Sequence, residues 1–272
     1  MIKTTYQKEL TISATQQKDG AGNNKKDTLK LQAWLTLYEM ANPGAGTLTA
    51  VDGGFGSATE QAVRNFQKSI KVTQDGVADQ ALFAALCSPL QKAFEGNISG
   101  NGLRQLVVNV AKNHLINYPY ELVINGQTNS GPWVRSYLDG KEGTEWFWCM
   151  GFVQTIIDQA ASIQGKDFRS LMPLTYSCDT VGTTGLHNGN LLRYTKVREN
   201  PSLVSPGDIF LLQKTPNDWH HTGLIISVGA GTFETIEGNT NEGGSSNGNG
   251  VYKRVRNFMS AKLDVFSIQP LI

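Results

Sequence analysis

The chain has 272 residues, 39% of them hydrophobic and 17% charged, with a formal net charge of +1 at pH 7. That length fills one large domain or two ordinary ones. The balance excludes disorder, collagen and coiled coil, and it gives no basic footprint for nucleic acid. No apolar run approaches the ~18 residues of a membrane helix. The N-terminal "MIKTTYQKELTISATQQ" has no apolar core of a secretory signal. The expectation is a protein made in the cytoplasm and carried onward by something other than a cleaved leader. Three cysteines, Cys87, Cys149 and Cys178, form neither a disulfide framework nor a C-x-x-C zinc pattern.

Residues 1–26 end in the polar, Gly- and Asn-rich "KDGAGNNKK", which reads as loop. A first helix follows, with Asp27 as N-cap and Leu31, Leu35 and Tyr38 on one stripe. "DGGFGSATEQAVRNFQKSI" gives a glycine turn and a second helix burying Ala62, Val63, Phe66 and Ile70. "TQDGVADQALFAALCSPL" gives another Asp-Gly turn and a short third helix with Leu82, Leu86 and Cys87 toward its core. Three short helices make a small bundle over residues 1–90, with its core at 27–90. Residues 91–102 read as linker, and 103–272 as a second domain. A fourth helix opens that domain, with Leu103, Leu106, Val107 and Val110 on one stripe. "WFWCMGFVQTIIDQA" is strongly helical in period, with Cys149 in its first turn. Beyond residue 200 the period falls toward two. "DIFLL", "HTGLIISV", "TFETIE", "VYKRVR" and "LDVFSIQ" then read as the strands of an antiparallel sheet. Helices first and strands after is an α+β arrangement.

A thiolate is the reactive form of cysteine, and a helix N-terminus or a nearby histidine lowers its pKa. Cys149 has the first by position. His221 begins a strand that, packed on the Cys149 helix, brings its ring to the sulfur. Glu237 and Asn239 lie on the next strand, joined by a hairpin through "GAG", and either can face His221 and fix its tautomer. Taken singly, each residue is more ordinarily structural, since cysteine is among the most buried types. Cys87 and Cys178 are assigned to the core. His220 is read as structural or solvent-facing, His114 as packing the fourth helix, and His187 as part of a loop. The ordered set of Cys149, His221 and Glu237 or Asn239 favours nucleophilic catalysis.

The run of helix–cysteine, "SPGDIFLL", a strand opening with His-x-Gly, then "EGNT" resembles the CHAP family of cysteine- and histidine-dependent amidohydrolases and peptidases, which are papain-like and related to NlpC-type cell-wall peptidases. "TNSGPWVRSYL" before "WFWCMGFV" agrees. The resemblance spans about residues 103–268 and implies helices packed on a five- to six-stranded antiparallel sheet. It makes Cys149 the nucleophile, His221 the general base, Glu237 the first choice of orienter and Asn239 a neighbouring helper. Many members carry glutamine before the cysteine as an oxyanion donor. Here Trp148 stands there, so the N–H of Cys149 or an indole N–H, from Trp148 or Trp219, is expected at the oxyanion or substrate. Asp139, Glu142 and Glu145 miss the spacing of the calcium loop seen in some members, so neither metal nor cofactor is expected.

The first domain is similar to the three-helix peptidoglycan-binding domain. Leu31 and Gln32, then Asp52, Gly53, Phe55, Gly56 and Thr59, then Ala62, Val63, Phe66 and Gln67, and finally Asp75, Gly76 and Asp79 match its pattern. Most of these are turn glycines, caps and core positions. Together the two resemblances imply a cell-wall hydrolase, an amidase or endopeptidase that opens an amide of the stem peptide or cross-bridge. Peptidoglycan is its expected partner, with a delivery apparatus or an immunity protein besides. The rival readings are a catalytically dead wall-binding protein and a papain-like transacylase acting on another amide or thioester.

Overall fold

The computed structural model describes residues 1–272. In chain order its main elements are α1 (Lys25–Ala41), α2 (Ser57–Ser69), α3 (Gln80–Leu86), α4 (Ser88–Glu95), α5 (Leu103–Ile116), β1 (Leu122–Ile124), β2 (Gln127–Ser130), α6 (Pro132–Tyr137), α7 (Cys149–Ile163), α8 (Cys178–Asn188), β3 (Leu191–Leu192), α9 (Tyr194–Glu199), β4 (Ile209–Thr215), β5 (Asp218–Val228), β6 (Thr232–Thr240), β7 (Gly250–Asn257) and β8 (Leu263–Phe266). They fall into two compact units. One is Thr4–Lys92 with Tyr120–Thr144, and the other is Met1–Lys3, Ala93–Pro119 and Glu145–Ile272. The stretch expected as linker therefore begins inside α4, and residues 120–144 group with the N-terminal helices.

In the first of these units, α1 is capped by Asn24, whose side chain accepts from the N–H of Asp27. Asp27, expected as the cap, lies one turn in. Burial opposes its charge, yet hydrogen bonds from Ser13 and Asn24 hold its pKa at about 2. Asp79 caps α3 by accepting from Leu82 N–H at 2.8 Å. The apolar positions Leu31, Leu35, Ala62, Val63, Phe66, Leu82, Phe83 and Leu86 are buried together, and a fully buried Leu or Phe side chain contributes about 2 kcal/mol.

The two Asp-Gly turns are held by the same device. Gln32 Oε1 accepts from the N–H groups of Asp52 (3.0 Å) and Gly53 (2.8 Å), and its Nε2 donates to Asp52 Oδ1 at 2.9 Å. Gln67 Oε1 accepts from Gly76 N–H at 2.9 Å, and its Nε2 donates to Asp75 Oδ1 at 2.5 Å. Gly53 and Gly76 have φ of 82° and 77°, a region that favours glycine. In the same unit β1 and β2 form a hairpin whose turn residues Asn125 and Gly126 both have positive φ, the requirement of a type I′ turn. Arg135 of α6 forks onto Glu9 at 2.7 and 2.8 Å and also reaches Glu142.

The other unit is built on a six-stranded sheet in the order β3-β8-β4-β5-β6-β7, with every neighbouring pair antiparallel. The five expected strands are present, and the two-residue β3 extends the edge. α7 is buried on every side from Cys149 to Ala161, and the polar side chains it carries there are paired, Gln154 donating to Pro173 O, Thr155 to Gly151 O and Gln159 to Ala93 O and Phe94 O, as burial requires. It packs against α5, β5 and β6. A phenylalanine-rich core of Phe210, Phe233 and Phe258 with Ile225, Leu263 and Val265 fills the sheet near α9.

α8 runs where a loop was expected, and His187 lies in its last turn. It seats closely because two of its residues are glycines. A methyl group at Gly182 would lie 2.5 Å from the Trp219 ring, and one at Gly185 would lie 2.7 Å from the Phe266 ring.

Candidate active site

Cys149 is the first residue of α7, and Trp148 is its N-cap. The helix bonding begins with Phe152 N–H to Trp148 O at 2.9 Å, so the preceding N–H groups have no carbonyl within the helix. The N–H of Met150 faces the Cys149 sulfur.

His221 sits on β5, fully buried, and its Nε2 lies 2.9 Å from Glu237 Oε2 on β6. Nδ1 of the same ring is buried with no hydrogen-bond partner, and Cys149 is near enough to act on the ring's proton affinity, so Nδ1 is the nitrogen left to face the sulfur. The glycine of the His-x-Gly motif explains the crossing. A methyl group at Gly223 would lie 2.6 Å from Glu237 Cγ, so its absence lets the glutamate side chain pass over β5 to the imidazole. Glu237 is fully buried, and its oxygens accept from Thr235 Oγ1 at 2.5 Å and from Arg256 at 2.6 and 2.5 Å. Arg256 in turn stacks 4.6 Å from the centre of the Phe210 ring.

The electrostatics follow from these partners. Burial alone lowers a histidine and raises a carboxylic acid. Against it, hydrogen bonds to Cys149 and Glu237 raise His221 to about 9, and hydrogen bonds with His221 and Arg256 bring Glu237 down to about 2. A hydrogen bond from Cys178, opposed by burial and reinforced by His221, holds the Cys149 thiol well below its usual range. These shifts run in the direction of a thiolate beside an imidazolium that rests on a carboxylate.

Asn239, the other residue considered for the orienting role, makes different contacts. At a φ of 56° it donates from Nδ2 to Asn247 Oδ1 (3.2 Å) and Gly248 O (3.0 Å). It thereby shapes the loop whose Ser245, Ser246 and Asn247 border a cavity of about 520 Å³. Phe147, Tyr176, Trp219 and His220 line the same cavity, with both Cys149 and Cys178 in its wall. Of the two tryptophans expected at the oxyanion or substrate, Trp219 lines the cavity and Trp148 does not. Trp219 donates its indole N–H to Asp264 Oδ2 at 2.9 Å, and Trp148 is fully buried against Gly238 and outside the cavity wall. The N–H groups at the start of α7 are the donors that the geometry offers.

Three partners of the site were not read from the sequence. Cys178, assigned to the core, lies with its sulfur 3.9 Å from that of Cys149. "YSCDT" carried a signal for it, since Ser177 caps α8 by accepting from Thr180 N–H and so places Cys178 at a helix start. Arg256 was legible in principle, because a buried glutamate on β6 needs a cation and "VYKRVR" alternates toward it. Thr235 had no signal beyond its spacing from Glu237. His114 lies elsewhere, buried, 3.0 Å from Gln159 Oε1, with burial lowering it to about 4. No group of three or more His, Cys, Asp or Glu side chains is arranged to hold a metal ion. Glu142 is taken up by Arg135 and by the N–H of Gly131.

The structure thus combines helices with antiparallel sheets and carries a helical module at its N-terminus. Residues 24–86 match the family model described as a putative peptidoglycan binding domain. That match fits peptidoglycan as a partner and a function at the cell wall. No match to the CHAP family was found, and no curated protein and no solved structure matches the chain. No helix is long and apolar enough to cross a membrane.

Proposed function

We propose that the protein is a papain-like cell-wall hydrolase that cleaves an amide in the peptide part of peptidoglycan. The observation that carries this reading is the buried relay from Cys149 through His221 to Glu237, with Nε2 and Oε2 at 2.9 Å and Nδ1 left to the sulfur. The Cys149 thiolate attacks the amide carbonyl carbon, and the carbonyl electrons move to oxygen. The helix-start N–H groups of α7 receive that oxyanion. His221, protonated, then gives its proton to the leaving amine as the C–N bond breaks, and a thioester to Cys149 remains. Water, deprotonated by the now neutral imidazole, releases the acid and restores the thiolate. Glu237, ionised and fixed by Arg256, holds the ring so that Nδ1 faces sulfur throughout.

The peptidoglycan-binding module supports the wall as the substrate. Tethering keeps the hydrolytic site at high local concentration on an insoluble polymer. Zymography on purified peptidoglycan tests the reading. Clearing by the wild type and none by Cys149→Ala is the expected result, and clearing that persists in Cys149→Ala refutes the mechanism. No clearing by either leaves a wall-binding protein. Mass spectrometry of the released muropeptides then identifies the bond.

A further inference from the structure

Cys178 takes no part in that chemistry, yet it opens α8 as Cys149 opens α7, and the two helix starts bring their sulfurs to 3.9 Å. A disulfide spans about 2.0 Å, so closing the pair from 3.9 Å requires the sulfurs to approach by about 1.9 Å. Both sulfurs border the same cavity, so a small oxidant that enters meets both. Neither is in a disulfide, and the remaining thiol, Cys87, belongs to the other compact unit.

We propose that Cys149 and Cys178 form a reversible disulfide under peroxide, with Cys178 as the resolving thiol, and that this bond switches the site off. The inference rests on the reactive thiolate of the reading above but not on the identity of the amide that is cleaved. In the first step the Cys149 thiolate attacks one oxygen of hydrogen peroxide. The O–O bond breaks, hydroxide leaves, and a sulfenic acid forms. In the second step the Cys178 sulfur attacks the sulfenic sulfur. The S–S bond forms, the S–O bond breaks, and the hydroxyl departs with the Cys178 proton as water. Two electrons pass from the sulfur pair to peroxide. A dithiol returns both thiols by exchange through a mixed disulfide.

The state of Cys178 suits this order of events. Its hydrogen bond to Cys149, together with burial and the repulsion of the thiolate, keeps it protonated in the resting site. A neutral sulfenic acid at Cys149 removes that repulsion at the moment when Cys178 has to act. Capture by Cys178 also protects the nucleophile from irreversible oxidation to sulfinic acid.

The test treats the full-length chain with hydrogen peroxide, blocks remaining thiols with iodoacetamide, and maps non-reduced peptides by mass spectrometry. The expected product has lost two hydrogens and yields one cross-linked peptide pair joining Cys149 to Cys178. Alkylation of Cys149 drops about tenfold and returns after dithiothreitol. Cys178→Ser treated in the same way gains two oxygens at Cys149 and does not recover. Sulfinic acid at Cys149 of the wild type with Cys178 still alkylated overturns the proposal, as does a cross-link through Cys87. The wild-type map decides the matter even where Cys178→Ser folds poorly. A Cys149–Cys178 cross-link in a protein that never clears peptidoglycan supports the peroxide-driven disulfide and sinks the hydrolase reading instead.

Discussion

The two compact units put their buried polar groups to opposite uses. In the N-terminal unit Gln32, Thr59 and Gln67 are buried, and the amides of the two glutamines clasp turns. Their partners are backbone groups of the same short segments and the aspartates Asp52 and Asp75, whose own backbone hydrogen bonds lower their pKa values. In the sheet unit His221, Glu237 and Arg256 are charged and bonded to one another, and one ring nitrogen is left over for a sulfur. A closed network around a glutamine amide fixes the shape of a turn. A charged network with one position open fixes a protonation state, and that is what nucleophilic chemistry requires.

If this contrast is right, substitutions in the sheet unit act on rate, with a loss of stability added where a buried charge is stranded, and those in the helical unit act on stability alone. The largest effect is expected from Cys149→Ala, which lowers wall lysis by about 10⁴-fold or more without shifting the melting temperature downward. Next comes Glu237→Gln, which keeps the shape but not the charge. Turnover is expected to fall about 10³-fold, because the amide no longer stabilises the imidazolium. An unchanged rate would mean that Glu237 is only structural. Arg256→Met leaves Glu237 buried without its cation, and chemical denaturation is expected to show a loss of about 3 kcal/mol. Gln67→Leu removes one clasp and strands the Gly76 N–H, for about 2 kcal/mol. It should weaken sedimentation with peptidoglycan while leaving thiol reactivity at Cys149 untouched. An equal loss of both would erase the contrast.

Proton titration gives a finer measurement. Activity requires thiolate and imidazolium together. The profile of kcat/KM should therefore fall on the alkaline side near pH 9, as His221 loses its proton, and on the acid side well below the usual thiol range. These limbs belong to the coupled pair. Glu237 has a folded-state pKa depressed from 4.5 to about 2. Its contribution to stability is thus present above pH 4.5 and is lost as pH falls toward 2. Glu237→Gln is expected to flatten that part of an acid-unfolding profile, measured by circular dichroism.

Much of this was legible in the residues. Helical stripes such as Leu31–Leu35 and Leu103–Leu106–Val107–Val110 carry their burial in their spacing, and the strands from 208 onward carry theirs in alternation. Cys149, His221 and Glu237 came from an order of elements that topology converts into proximity. What escaped depends on register and depth. The choice between Glu237 and Asn239 turns on a break in the β6–β7 pairing between Glu237 and Thr240, which alternation alone does not reveal. The hairpin at Asn125–Gly126 had its turn signal in plain sight, between two runs too short to read as strands. Cys178 looked like a core residue because the fold brings together two helix starts that lie far apart in sequence.

The depth of α8 has one more consequence. Cys178, Gly182 and Gly185 fall at i, i+4 and i+7, a single face of that helix, and the two glycines are notches that admit the rings of Trp219 and Phe266. The spacing between the two sulfurs is therefore set by the absence of two methyl groups up to two turns away. A single added carbon at either notch would act as a shim, lifting the whole rod off the sheet and drawing one thiol out of range of the other with no change to either cysteine.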